Sequence, residues 1–219
     1  MPFLDRADAG RQLARALASY KDRAPVVLAL PRGGLPVAAE IAAALAAPLD
    51  VVLVRKVGLP EQPELAMGAV VDGDEPIVVR NDDVIAAGGV SEREFEAACA
   101  RELAEIERRR RRFVGDRGRA PIAGRAAIVV DDGVATGATA RAALRAIRKR
   151  GPKTLVLAVP VAARDTIEEL RSEVDVVVCL EAPRYFDAVG AFYADFRQVS
   201  DEEVGAVLAR FPLETPEKA

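Results

Sequence analysis

The chain contains no histidine. That absence excludes Ser-His-Asp and Cys-His nucleophile systems and every His-bound zinc or iron site. No Gly-Lys pair occurs either, so the P-loop signature is missing. No G-x-G-x-x-G follows a strand-like run, which argues against a dinucleotide fingerprint. Cysteine is scarce. Cys99 and Cys179 lie far apart, offer no metal-ligand spacing and no disulfide framework, and fit a reducing cytoplasm. An excess of one charge is absent too: 31 basic and 34 acidic residues leave −3, with no general pull toward nucleic acid or an anionic membrane. No stretch approaches the roughly 18 uninterrupted apolar residues of a membrane span. The opening MPFLDRADAG has no basic segment leading into an apolar one, so no signal peptide is expected.

What is present is a chain of 219 residues, 51% hydrophobic, long enough for one core to suffice. A single domain over 1–219 is expected. Short β-branched runs alternate with Ala-rich helical stretches. Strands are predicted at Pro25–Leu30, Asp50–Arg55, Arg125–Asp131, Lys153–Pro160 and Asp175–Leu180, with a strand or hairpin around Asp72-Gly73. Helices are predicted at Leu35–Ala46, Ala138–Arg150 and Arg164–Arg171. Ser91 with Glu94, and Ser200 with Glu203, have capping-box spacing and open helices running to about Phe113 and Phe211. Continuous apolar strands joined by helices imply α/β architecture, a parallel sheet covered on both faces. Such sheets bind ligands beyond the carboxyl ends of their strands.

The strongest chemical signal is IVVDDGVATGATARAAL, from Ile128 to Leu144. An apolar strand delivers two adjacent carboxylates, Asp131 and Asp132, and Thr136-Gly137-Ala138-Thr139 then opens a helix. Free N–H groups and the positive dipole end at a helix start suit a phosphate. Gly137 permits close backbone approach, and the Thr136 and Thr139 hydroxyls add donors. Ionised Asp131 and Asp132 only accept, which fits sugar hydroxyls or metal-bound water. One loop thus offers both halves of a phosphorylated ribose site. An ordinary strand-loop-helix turn is the competing reading.

These residues resemble the 5-phosphoribosyl diphosphate (PRPP) loop of the type I phosphoribosyltransferases: apolar residues, an acid pair, three variable residues, then T-G-x-T. The resemblance implies a mainly parallel twisted sheet flanked by helices, with a core over about 25–180. A small variable hood and C-terminal helix would occupy about 181–219. It implies that Asp131 and Asp132 hold the ribose hydroxyls, and that the segment Ala135, Thr136, Gly137, Ala138 and Thr139 holds the 5′-phosphate. Mg²⁺ would be carried through PRPP and water, with no protein ligand assigned. A homo-oligomer is implied as well.

Leu30-Pro31-Arg32-Gly33-Gly34 follows the first strand. Two glycines let backbone N–H groups face an anion and Arg32 adds a guanidinium fork, although the same residues also make a plain turn. The segment resembles the family's pyrophosphate loop (Arg32, Gly33, Gly34), in which a non-proline cis peptide is expected at or beside Arg32–Gly33. Arg55 and Lys56, before a Gly/Pro-punctuated loop, resemble the mobile loop that closes over PRPP. A solvated surface pair is the alternative. With Arg32 they are the expected catalytic cations.

Pro183–Val199 holds Tyr185, Phe186, Phe192, Tyr193 and Phe196, five of ten aromatics. They either finish a core or, for Tyr185, Phe186 and Tyr193, meet a flat acceptor. The run Arg108–Arg112 cannot share one helical face and reads as a solvated helix end, with RNA or a subunit contact as alternatives. Enzymes of the family that act on 6-oxopurines carry an Asp directly before T-G; Ala135 stands there, nearer the adenine or uracil pattern. The acceptor stays unidentified. No general base is assigned, Glu61 and Glu64 being the acids of the mobile loop. Further likeness in L-P-R-G-G, V-R-K-V-G and V-G-A-F-Y-x-D-F-x-Q-V points to a bacterial group of unsettled acceptor. The implied activity is phosphoribosyl transfer in nucleotide metabolism, with a PRPP-sensing regulator as the alternative.

Overall fold

The computed structural model describes residues 3–73, 75–115 and 117–213. Two short apolar runs set the centre of the molecule, β1 (Pro25–Ala29) and β6 (Ala126–Val130), each buried along its whole length. A strand buried on both faces needs cover on both. Alternation sends Val27, Ala29, Ile128 and Val130 to one side, where α1 (Arg6–Ala16) and α2 (Gly34–Leu45) pack through Leu13, Leu35 and Ile41. Val26, Leu28, Ala127 and Val129 face the other side, against Ala143, Leu144 and Ile147 of α5 (Ala138–Lys149). Each such Leu or Ile contributes about 1.5–3 kcal/mol when fully buried.

The main sheet is parallel throughout, in the order β2-β1-β6-β7-β8. Here β2 is Leu49–Val51, β7 Thr154–Val161 and β8 Val176–Glu181, with α6 (Arg164–Leu170) between the last two. The chain winds one way from β1 to β2 and the other way from β6 through β7 to β8. The boundary between β1 and β6 is therefore a topological switch point, where open α/β sheets form their ligand crevice. The mainly parallel, helix-covered sheet expected from the sequence is the observed one.

A second, antiparallel sheet of β3 (Val54–Gly58), β4 (Ala66–Val71) and β5 (Ile77–Arg80) stands beside it. The hairpin expected around Asp72-Gly73 joins β4 to β5, with Val71 opposite Ile77. After α3 (Asp82–Ala87) comes α4 (Glu92–Val114), with the Ser91–Glu94 capping box complete. The Ser200–Glu203 box opens α7 (Asp201–Ala209). Gly151, at φ 67°, ends the turn after α5. No helix among the described residues is long and apolar enough to cross a membrane.

One expectation is corrected and two helices are added. Asp50–Arg55 is not one strand: the chain leaves β1 after Val51 and joins β4 at Val54. The hinge is set by Asp72, 4% exposed, whose carboxylate accepts Leu53 N–H (2.8 Å), Arg110 (2.8 Å) and Arg119 (2.7 Å). Helix α1 was not expected, although Asp5 caps it by accepting Asp8 N–H and Ala9, Leu13 and Leu17 recur at helical spacing on its buried side. The six-residue α3 was also missed, being too short for a periodic signal. In the arginine run, Arg110 turns inward to Asp72, Arg108 and Arg109 share Glu105, Arg111 meets Glu107 and Arg112 meets Asp201. Glu105 is held near about 2 by those two guanidinium bonds.

The Asp72 clasp carries a stability prediction. Asp72→Ala removes the shared carboxylate from a buried network and leaves Leu53 N–H without its partner. Losing one side of such a pairing costs about 3–5 kcal/mol. Urea denaturation of the variant should show a loss of that order, and a change within about 0.5 kcal/mol would mean the clasp is incidental.

Candidate active site

The two glycine-bearing and acid-bearing loops leave adjacent strands. Ala29 of β1 lies opposite Val130 of β6, and Leu30 N–H donates to the Val130 carbonyl at 2.9 Å. The segments Pro31–Gly34 and Asp131–Asp132 therefore emerge side by side. A Cβ on Gly33 would fall 2.0 Å from Asp132 Oδ2, and one on Gly34 would fall 2.6 Å from the Val130 carbonyl oxygen. Only glycine allows the loop to lie this close to the acid pair. The cis peptide is Pro31–Arg32, one bond before Arg32–Gly33.

With both groups ionised, each carboxylate of the pair is tied by one oxygen. Asp131 Oδ1 accepts Asp132 N–H at 2.9 Å, and Asp132 Oδ2 accepts Arg6 Nε at 2.8 Å. Burial, then the neighbouring Asp132 charge, raises the Asp131 pKa well above the usual carboxylate value, while Arg6 opposes the shift. Arg6 comes from α1, 126 positions away in sequence, and no spacing signal could have found it.

Gly137, at φ 73°, starts α5 and is buried, whereas Ala135, Thr136, Ala138 and Thr139 are exposed. As N-cap it has no side chain to accept the first-turn N–H groups, unlike Ser91 and Ser200, which accept such donors at α4 and α7. The start of α5 thus keeps donors for an anion. Thr166 Oγ donates to the Ala135 carbonyl at 2.6 Å and fixes the loop from α6.

The expected cations divide between two cavities. Arg55 and Lys56 sit inside β3 rather than in a loop, and neighbouring strand residues point to opposite faces. Arg55 turns to Glu102 (2.7 Å) and, with Arg32, lines a cavity of about 210 Å³ beneath α4. Arg32 reaches Asp201 at 3.3 Å. Lys56 turns the other way, bonds the Glu64 carbonyl (3.0 Å) and carboxylate (3.1 Å), and lines a cleft of about 350 Å³ with Thr139. So the structure joins Arg32 with Arg55, and Lys56 with the T-G-x-T segment. Glu64 is fully exposed at its side chain, and Glu61 is exposed as well.

Of the aromatic set, Tyr193 is buried between Phe3 and Phe196, with ring centroids 5.4 and 5.0 Å away. Its hydroxyl donates to the Asp132 carbonyl at 2.5 Å, and burial raises its pKa. That position supports the acid loop from beneath and leaves no open ring face. Phe186 stacks on Phe192 at 5.6 Å, and Tyr185 is 88% exposed.

A family model for the phosphoribosyl transferase domain matches residues 4–197. A Mycobacterium tuberculosis H37Rv protein provisionally named a phosphoribosyl transferase is 50% identical over 208 residues, 95% of this chain and 46% of that protein. The chain thus spans about half the length of the curated relatives it matches. The crystal structure of TT1426 from Thermus thermophilus superposes with a TM-score of 0.85 at 45% identity, covering 97% of this chain and 100% of that one. The AQ2163 protein of Aquifex aeolicus shares the fold, with a TM-score of 0.50 at 12% identity over 95% of this chain and 87% of that one. The chain belongs to the phosphoribosyl transferase domain family.

Proposed function

We propose that the protein is a phosphoribosyltransferase that binds PRPP with Mg²⁺ and transfers the 5-phosphoribosyl group to an acceptor, releasing pyrophosphate. One observation carries this reading: the acid pair and the Arg32-Gly33-Gly34 loop lie in direct contact at the β1/β6 switch point. In it, Asp131 and Asp132, both ionised, accept the two ribose hydroxyls with the oxygens not used on Asp132 N–H and Arg6. Donors at the start of α5, with the Thr136 and Thr139 hydroxyls, hold the 5′-phosphate. The amide of Gly33, with Arg32, faces the pyrophosphate; the Gly34 amide is taken by the Leu30 carbonyl at 3.1 Å, so Gly34 contributes close approach and not a donor.

The bond from ribose C1 to the pyrophosphate oxygen breaks, and its electron pair leaves with pyrophosphate. An acceptor lone pair, such as that of a ring nitrogen, forms the new bond to C1, and the acceptor gives up its proton. Positive charge grows on the ribose and negative charge on the leaving group. Arg32 and, from the same cavity, Arg55 stabilise the latter by prior positioning. Lys56 stands on the 5′-phosphate side. A Mg²⁺ ion would enter with PRPP beside the acid pair and would supply charge neutralisation at the leaving pyrophosphate. Tyr185 is the exposed aromatic available to an acceptor, since Phe186 is half-buried against Phe192.

Incubation with Mg²⁺, PRPP and a panel of nucleobases, read by pyrophosphate release, tests the activity. Release that requires one acceptor is the expected result. PRPP binding with no release from any acceptor would favour a sensor, and absence of PRPP binding would remove the reading.

A further inference from the structure

Arg6 is the residue at the acid pair that no motif assigns. Its side chain is 10% exposed. Nε donates to Asp132 Oδ2 at 2.8 Å and Nη1 to the Arg197 carbonyl at 2.8 Å, while the guanidinium lies 3.9 Å from the centroid of the Phe196 ring. The Tyr193 hydroxyl holds the Asp132 backbone from the same side. Contacts from both ends of the chain thus converge on one acidic residue.

The bonds divide the two carboxylates in a useful way. Asp131 uses Oδ1 on Asp132 N–H, and Asp132 uses Oδ2 on Arg6. The two side chains also share a hydrogen bond while Asp131 is protonated, which adds to the rise in its pKa. With both ionised, neither carboxylate can donate to the other and the second oxygen of each is left to accept. Two acceptor oxygens on neighbouring residues match a vicinal diol, which presents two O–H donors on adjacent carbons. Two adjacent carboxylates also resist being ionised together, and a buried cation offsets that resistance.

We infer that Arg6 is a positioning residue, which holds Asp132 in the orientation that lets the acid pair accept the ribose hydroxyls of PRPP. The inference rests on the ribose reading of that pair. Arg6 also acts on the pair's proton, since its charge opposes the rise at Asp131. The other ionisable groups in reach are few. Tyr193 faces the pair from the 183–199 segment. Arg197 offers its carbonyl, while its side chain meets Glu203, which in turn senses Arg6. Gly33 and Gly34 bring no charge from the neighbouring loop, where Arg32 turns to Asp201. Without Arg6 the pair keeps its proton to higher pH.

Arg6→Ala and Arg6→Lys test this by two measurements on the full chain. Carboxyl titration of ¹³C-aspartate-labelled, ligand-free protein should show the Asp131 transition moved to higher pH in Arg6→Ala. Calorimetric affinity for Mg²⁺-PRPP at neutral pH should fall about ten- to hundred-fold, the worth of one charged hydrogen bond. Arg6→Lys should recover part of both, because it restores the charge and loses the bond to Arg197. It carries the comparison even if the alanine variant does not fold. Wild-type titration and wild-type PRPP affinity in a folded variant would overturn the inference and leave Arg6 as packing. A wild-type protein that binds no PRPP would overturn the ribose reading instead, while the titration arm still reports on Arg6.

Discussion

Replacing Asp131 and Asp132 together with Asn should lower kcat/KM for PRPP by about 10²- to 10⁴-fold while the fold survives. Asn keeps the size and replaces a charged acceptor by a neutral one that also donates. Each charged hydrogen bond lost is worth about 1.5–3 kcal/mol, and two hydroxyl contacts are involved. The stability side runs the other way. The Asp131 pKa is raised in the fold by burial and by Asp132. The folded state therefore holds a proton that the unfolded chain releases, and this contribution is full below the ordinary Asp value. It is lost as pH rises through the folded pKa. Asp131→Asn removes this loss, so ligand-free variant and wild type should diverge in stability as pH rises, with the variant the more stable. A pH series of thermal midpoints beside PRPP kinetics separates the two effects. A double variant of unchanged PRPP affinity would refute the site.

Gly34→Ala should lower both activity and stability, because the added methyl has nowhere to go. It would lie 2.6 Å from the Val130 carbonyl oxygen and 2.9 Å from Asp131 Cα, both backbone atoms of the β6 end. Forcing an extra methyl into a packed place costs about 1–3 kcal/mol. Relief requires the Pro31–Gly34 loop to move off the acid pair. A misplacement of about 1 Å between binding groups can lower a rate about 100-fold, so kcat/KM for PRPP should fall by that order. Gly205 provides the control, since a Cβ there, inside α7, meets nothing within 4 Å. Gly205→Ala should instead stabilise by about 0.5–1 kcal/mol through the lower helix cost of alanine. Equal behaviour of the two variants would show that close approach at Gly34 is unimportant.

Local chemistry was legible in the sequence wherever one segment carried the whole signal. The apolar runs that became β1 and β6 needed only their own residues, and the two capping boxes required only spacing. The T-G-x-T helix start was equally local. Pairings between distant segments were not legible. Asp50–Arg55 reads as one strand because the apolar run Val51–Val54 favours it, yet Asp72 breaks it by taking Leu53 N–H from the far end of β4. Arg55 and Lys56 read as one basic pair, although strand alternation sends them into separate cavities. Arg6 gives no sign of its partner, since nothing about an arginine in the first turn of a helix points to a carboxylate 126 positions on. Tyr193 belonged to a set with two open readings, and only its burial and its bond to the Asp132 carbonyl decide its place. The arginine run was legible as unable to share one face, while the inward turn of Arg110 depends on the same distant Asp72.

A crystal structure with Mg²⁺ and PRPP is the most direct measurement. The ribose hydroxyls should meet the untied oxygens of Asp131 and Asp132, with the 5′-phosphate at Thr136–Thr139 and the pyrophosphate against Arg32–Gly34. PRPP seated away from the β1/β6 boundary, with the acid pair contacting protein alone, would contradict the account.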